Sequence, residues 1–381
     1  MKSIYYWSPF LTDVATVSAV IQSAISLRKY SKKYNPVIID VAGEFQKYND
    51  IINDNKIELK KLINLNYINF LPKNGYIKSR LSYIIIFLCS AYPLYKILKK
   101  DKPEYLVCHL ITSLPILLAR IFSFKTKFIL RISGLPRLNI IRKLYWYVCG
   151  KTLDKITSPT EATLHELKKM KLFEENKLFL LRDPVIDVKK INQLKKIKIE
   201  NFLEKKDFLI SIGRLTKQKN FSFLIKCFSE ITKKNNRLKL VILGEGEERK
   251  ILSKIIKRYK LQDQVFLLGY KENVFNYLSR AKLFILSSLW EDPGWVLLEA
   301  AASNTLILSS NCKNGPSEII EKNKSGFLYE VNNQKDFLEK IDKIENLDDE
   351  KIKNKKINAK KKSYQYTKFQ HFKVLEQIIE Y

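Results

Sequence analysis

The stretch FLISIGRLTKQKNFSFLIKCFSEITKKNNRLKLVILGEG, residues 208–246, reads as strand, glycine turn, helix, strand and second glycine turn. Phe208 to Ile212 is a short, continuous apolar run, as a strand buried on both faces must be. Gly213 ends it, a helix-compatible segment follows, and Leu238 to Leu243 supplies the next strand before Gly244-Glu245-Gly246. Two strands joined by a helical crossover run parallel, and a parallel sheet needs helices on both faces. The same alternation continues downstream, with strands expected at Val265 to Leu268, Leu283 to Ser287 and Thr305 to Leu308.

Working upstream, Ile4 to Trp7 leads through Ser8-Pro9 into a helical pattern from Val14 to Tyr30 and a second strand at Val37 to Val41, another β-α-β unit. Further strands are expected at Tyr105 to Leu110, Lys127 to Ile132 and Lys155 to Ser158, separated by apolar helical stretches at Leu114 to Phe122 and Ile140 to Cys149. At 381 residues the chain is too long for one ordinary core and suits two α/β domains. A lysine-rich polar stretch after Arg182-Asp183-Pro184, running to Lys206, marks the change. The expectation is α/β with two Rossmann-like domains: 1–186, 187–362, and a closing helix in 363–381 that packs back on the first. The basic tail Lys351 to Lys362 reads as a solvated helix face or loop.

Lys and Arg outnumber Asp and Glu by 69 to 39, a net charge of +30, which calls for an anionic partner unless it is compositional in a chain rich in Lys, Ile and Asn. The basic residues are spread over the whole chain without a Cys/His finger or an aromatic-glycine RNA signature, which argues against nucleic acid. Cys89, Cys108, Cys149, Cys227 and Cys312 are odd in number and widely spaced, which disfavours a disulfide framework and a zinc site and fits the cytosol. Asp13 interrupts what would be an export signal, so the N-terminus reads as strand, turn and helix. Leu81 to Tyr95 is uncharged for 15 residues, short of a bilayer span, with Lys78 and Arg80 before it and Lys96, Lys99, Lys100 and Lys102 after. It reads as either a helix lying at an anionic membrane interface or a buried core helix.

In open parallel sheets ligands sit beyond the carboxyl ends of the strands, so the loops after the strands are where chemistry is sought. In the stretch Gly213-Arg214 through Lys219, Arg214 and Lys219 put cations after a strand, suited to a diphosphate or simply solvated. Gly244-Glu245-Gly246 lacks the third glycine of a dinucleotide fingerprint and reads first as a turn. Trp290-Glu291-Asp292-Pro293-Gly294-Trp295-Val296-Leu297-Leu298-Glu299 places two carboxylates, with seven residues between them, across a loop that opens a helix. Carboxylates accept hydrogen bonds from sugar hydroxyls, and the helix's first N–H groups attract an anion. The bland alternative is an acidic N-terminal cap with an exposed helical Glu.

Together these residues resemble the retaining GT-B glycosyltransferases with a two-glutamate motif, the large family of bacterial lipopolysaccharide, capsule and mannosyl transferases. The resemblance covers about residues 205 to 332: Glu291 and Glu299 match the glutamate pair, Arg214 and Lys219 the basic pair. Asn314-Gly315-Pro316-Ser317-Glu318-Ile319-Ile320 through Ser325-Gly326-Phe327-Leu328 matches the downstream glycine-rich segment. It implies a GT-B architecture, two domains facing across a cleft. It further implies that Arg214 and Lys219 neutralise the diphosphate and Glu299 holds the ribose hydroxyls. Glu291, with the backbone of Gly294, Trp295 and Val296, would hold the transferred sugar and distal phosphate, and Gly269-Tyr270-Lys271 would border the base.

In the first domain His109 corresponds to a histidine beside the reacting sugar. Ser133 stands where many relatives carry a histidine, and Leu11-Thr12-Asp13-Val14 replaces the usual glycine-rich turn. The expected activity is transfer, with retention and without a metal or other cofactor, of a sugar from a nucleoside diphosphate to a lipid-linked or cell-surface saccharide, in the cytoplasm or at the inner face of the membrane. The rival readings are a sugar phosphorylase or nucleotide-sugar epimerase on the same architecture, or a non-catalytic basic membrane or nucleic-acid binder.

Overall fold

The computed structural model describes residues 1–10, 15–62, 76–109, 114–134, 139–204 and 207–381. The turn read at Leu11–Val14 lies outside them. The chain forms two compact units, Met1–Val185 with Lys368–Tyr381, and Ile186–Thr367. The change of unit after Tyr366 and Thr367 falls later than residue 362, because these residues stay tied to the start of the second unit: the Ile186 N–H donates to the Tyr366 carbonyl at 2.9 Å.

The first unit is built on a parallel sheet of β1 (Lys2–Trp7), β2 (Tyr34–Asp40), β3 (Glu58–Lys61), β4 (Tyr105–Cys108), β5 (Lys127–Arg131), β6 (Lys155–Ser158) and β7 (Leu178–Leu180). Their order is β3-β2-β1-β4-β5-β6-β7. Both faces are buried, as the continuous apolar runs require: Tyr5, Trp7, Val37 and Ile39 enter one core, while Ile4, Tyr6 and Ile38 enter the other. The helices Tyr76–Asp101, Leu114–Ile121 and Ile140–Cys149 cover the first face. Ala15–Tyr30 and the closing helix Lys368–Glu380 pack together over the second.

The closing helix is held by a buried relay. The Arg182 carbonyl can only accept, so His371 Nδ1 carries the proton and donates to it at 2.7 Å. Nε2 must then accept from the Ser23 hydroxyl at 2.8 Å, and Ser23 in turn accepts from Tyr6, 3.0 Å away. Burial drives the His371 imidazole down to about 4, so it is neutral.

The Tyr76–Asp101 helix combines both readings of its apolar run. Ser82, Ile86, Ser90, Leu94 and Leu98 form a buried stripe along it, at the fourfold spacing of one helix face. Leu81, Ile84, Leu88 and Tyr92 are exposed on the other side.

The second unit carries β8 (Phe208–Ile212), β9 (Lys239–Leu243), β10 (Val265–Gly269), β11 (Leu283–Leu286), β12 (Leu306–Ser310) and β13 (Phe327–Tyr329). All are parallel, in the order β10-β9-β8-β11-β12-β13. Both sheets thus share the doubly wound order in which the chain starts in the middle, winds one way and then the other. The crossover helix Phe221–Lys234 turns Phe221, Leu224, Ile225 and Phe228 onto the sheet, where each buried side chain contributes about 1.5–3 kcal/mol.

The polar stretch before β8 is not a bare linker. It contains the helix Val188–Leu194, and Asn273, Asn276 and Arg280 hold its carbonyls at Leu194, Lys198 and Lys195. The basic tail folds as the helix Asp349–Ser363, capped by the Asp348 carboxylate on the Lys351 N–H, and packs against the helix Trp295–Ala302.

Candidate functional site

In the second unit the strand order reverses between β8 and β11, and the loops leaving those two strands meet there. Lys219, after β8, reaches Glu291, after β11, with its Nζ 2.6 Å from Oε1. Both side chains are largely buried, so neither charge is tolerable without the other. The Ser288 hydroxyl donates to the same Oε1. Ser287 donates to the Lys219 carbonyl at 2.7 Å and the Gln218 amide to the Trp290 carbonyl at 2.8 Å, which lashes the two loops together along their length.

Glu291 is followed by a cis Asp292–Pro293 bond and by Gly294, which has φ +86° and opens the helix Trp295–Ala302. A β-carbon at Gly294 would lie 3.3–3.5 Å from the Glu291 side chain, so glycine gives both the left-handed turn and the room. The first turn of the helix leaves backbone N–H groups at Trp295 and Val296 without intrahelical acceptors. Trp295 Nε1 is itself buried without a hydrogen-bond partner among the described residues. Glu299 lies one turn further in, where burial pushes its carboxyl up to about 7. Arg214 stands exposed just past β8.

The remaining expected residues occupy the neighbouring loop. β10 ends in a register shift at Gly269, which has φ +77° and accepts from the Gly244 N–H at 2.8 Å. Tyr270 is 76% exposed. Lys271 points instead to Glu200, 2.8 Å away, where the Tyr277 hydroxyl also donates, so its cation fastens the segment before β8. Gly244 and Gly246 are packing residues: β-carbons there would meet the Gly213 carbonyl at 1.9 Å and the Leu215 carbonyl at 2.4 Å. The glycines let the β9 loop lie against the β8 loop that carries Arg214. Loop by loop, the rim of the sheet is one hydrogen-bonded surface.

His109 belongs to the first unit, immediately after β4. Its N–H donates to the Trp7 carbonyl at 2.9 Å, and its ring is buried with both nitrogens unpartnered among the described residues. Burial, with the Arg131 guanidinium nearby, holds its imidazole well below the usual histidine range, so it is neutral. Arg131 pairs with Asp183 inside the unit. Residues 110–113, which follow His109, lie outside the described residues.

The sequence reading gave no role of their own to two polar groups of the rim, although Asn314 stood in the matched glycine-rich segment. Ser288 shares Glu291 with Lys219, and the Asn314 amide holds the Asp292 carboxylate. Asp348 and Asp349 start a helix, and among the described residues no group of three or more His, Cys, Asp or Glu is placed to hold a metal.

Residues 192–363, nearly the whole second unit, match the family model described as glycosyl transferases group 1. That match covers less than half of the chain. The chain is 33% identical over 250 residues to an uncharacterized glycosyltransferase of Methanocaldococcus jannaschii, covering 60% of this chain and 61% of that one. It is 28% identical over 245 residues to the N-acetylgalactosamine-N,N'-diacetylbacillosaminyl-diphospho-undecaprenol 4-alpha-N-acetylgalactosaminyltransferase of Campylobacter jejuni, covering 62% and 65%. Each match spans less than two thirds of the relative's own length. In three dimensions it is similar to a glycosyltransferase from Rickettsia africae, with a TM-score of 0.81 at 18% identity over 100% of this chain and 98% of that one. At such identity the likeness speaks to the fold.

Proposed function

We propose that this chain transfers a sugar from a nucleoside diphosphate to a hydroxyl of a lipid-linked or cell-surface saccharide, with retention of anomeric configuration. One observation carries the reading: Lys219, from the loop after β8 that also holds Arg214, closes on Glu291 just before the helix that carries Glu299, at the point where the second sheet reverses its order. A departing nucleoside diphosphate develops negative charge. Arg214, Lys219 and the N–H groups of Trp295 and Val296 form a preorganised cationic cradle for it. Glu291 holds Lys219 in place through Oε1 and leaves Oε2 for hydroxyls of the transferred sugar, and Glu299 accepts from the ribose. Gly269 and Tyr270 border the base, while Lys271 shapes that border through Glu200.

His109 is assigned to the reacting sugar on the family resemblance, as a neutral hydrogen-bonding group. The acceptor class follows the printed name of the Campylobacter relative, whose substrate carries diphospho-undecaprenol. A lipid-linked acceptor places the work at the inner face of the membrane.

The test is thermal stabilisation by UDP, GDP, ADP and their sugars, with a chelator present, repeated on Glu299→Ala and Arg214→Ala. A ligand that binds only the folded state must raise its melting temperature. A shift with one nucleotide, lost in both variants, is the expected result; no shift with any nucleotide in the intact chain would defeat the reading.

A further inference from the structure

We propose that the outer surface of three helices in the first unit, Tyr76–Asp101, Leu114–Ile121 and Ile140–Cys149, docks the chain on an anionic lipid bilayer, with the last of them sunk into the interface. This deepens the reading of a membrane-borne acceptor, on which it rests for its purpose, and names the surface that meets the lipid.

The Ile140–Cys149 helix begins at an Asn139 cap and buries Trp146 and Cys149. On its other side Ile140 is 86% exposed, Ile141 78% and Leu144 62%, with Tyr147 and Val148 beside them. A helix facing water carries polar groups at such positions. The Leu114–Ile121 helix packs between this helix and Tyr76–Asp101, and all three bury their inner stripes on the same core. Their outer stripes therefore face away from the sheet together; Ile121 and Phe122 are exposed as well, and the Phe122 ring packs on Tyr95 of the Tyr76–Asp101 helix, with centroids 4.7 Å apart. Monomeric proteins rarely leave so extended an apolar surface in water.

Charge decides the occupant. Between Leu59 and Leu153 the sequence has 17 Lys and Arg against two carboxylates, Asp101 and Glu104, with none from Tyr105 to Leu153. Both carboxylates are already engaged, Asp101 by Lys60 and Glu104 by Lys2. A second copy of the chain would bring the same positive field to the same face, whereas anionic headgroups neutralise it. Lys96 and Lys143 are exposed at the margins of the apolar stripes, and the Lys151 ammonium lies 5.0 Å over the Tyr147 ring, as expected of cations that reach headgroups from an immersed stem.

The Leu81–Asp101 segment is long enough to cross a bilayer, and an 18-residue window within it has a mean hydropathy of 1.6. Its buried stripe is part of the first unit's core, however, so spanning would strip that core, and lying on the surface leaves it intact.

The experiment sediments the full chain with phosphatidylcholine vesicles, with and without about one quarter phosphatidylglycerol. Binding is expected only to the anionic vesicles and is expected to weaken with added salt. Leu144→Glu and Leu88→Glu, at exposed positions, should each weaken it about tenfold or more. Ile251→Glu, at a 49% exposed position on the second unit, should leave it unchanged. Nucleotide-dependent melting should survive in all three variants. The proposal is overturned by unchanged vesicle binding of Leu144→Glu, by no binding to anionic vesicles, by a dimer in solution that Leu144→Glu dissociates, or by membrane attachment that resists alkaline carbonate. Vesicle binding without any nucleotide stabilisation would instead remove the transferase reading and leave the docking surface standing.

Discussion

The Lys219–Glu291 pair concentrates the chemistry of the second unit in one contact. Replacing Glu291 by Gln keeps the shape and a hydrogen bond to Ser288 but leaves Lys219 charged without its counter-ion, which should cost about 1–3 kcal/mol of stability. If Glu291 also holds the transferred sugar, kcat should drop on the order of a hundredfold, and denaturant melts with steady-state kinetics separate the two effects. Glu299 gives a pH signature. The folded chain keeps its proton up to about 7, while the unfolded chain releases it near the ordinary 4.5. Its contribution to stability therefore falls as pH rises through that window and is level above it. Relative to Glu299→Gln, the unliganded wild type should lose melting temperature between about pH 4.5 and 7. Nucleotide affinity should move the other way and weaken below about pH 7, because ribose hydroxyls donate to the charged carboxylate; titration calorimetry across pH checks this, and a pH-independent affinity would contradict the ribose role. The two glutamates were legible from spacing. The contacts of Ser288 and Asn314 were not, since a serine and an asparagine in a loop acquire a role only from what they touch.

At the scale of elements, the strands that pattern reading found are the interior ones and β10. The three it missed, β3, β7 and β13, all lie at sheet edges and have three or four residues each. An edge strand such as Glu58–Lys61 is half solvated and needs no continuous apolar run, so its sequence carries little signal. The basic tail was read as solvated or looped; Lys351, Lys353 and Lys361 do face water, while Lys362 is buried against Glu321. Its Ala359 side is buried, and the helix braces Trp295–Ala302 from behind. Close packing of loops is equally exacting. A β-carbon at Gly315 would stand 1.9 Å from the Pro293 carbonyl, so Gly315→Ala must push the loop after β12 away from the turn that presents Glu291. A loss of about 2–4 kcal/mol is expected from calorimetry, with weakened nucleotide binding. Melting within error of wild type would show that this contact is relaxed.

For the whole molecule, the chain's last helix belongs to its first unit, so the first unit is complete only when the C-terminus has returned to it. His371 is the fastening, buried and neutral between Ser23 and Arg182. The unfolded chain takes up a proton on this histidine near the ordinary 6.5, the folded one only near 4, so this group removes stability as pH falls through that interval. A His371→Leu variant should be less stable at neutral pH, having lost two hydrogen bonds, and should lose less on acidification to pH 4. Parallel acid melts of the two proteins are the check, and identical pH slopes would place the protonation elsewhere.

The sequence alone determined the class of fold, because a buried parallel strand must be apolar throughout and a crossover helix must be apolar on one face, and both patterns are local. It also put forward the pair of glutamates and the pair of cations, through the order in which they match a known family. Only the tertiary structure decided that Lys219 closes on Glu291, that Lys271 turns to Glu200, and that Gly244 and Gly246 serve loop packing. It alone gave the apolar run from Leu81 one buried and one exposed face. These outcomes depend on which loops meet at the point where strand order reverses and which helices lie side by side on a sheet, and such neighbours are far apart along the chain.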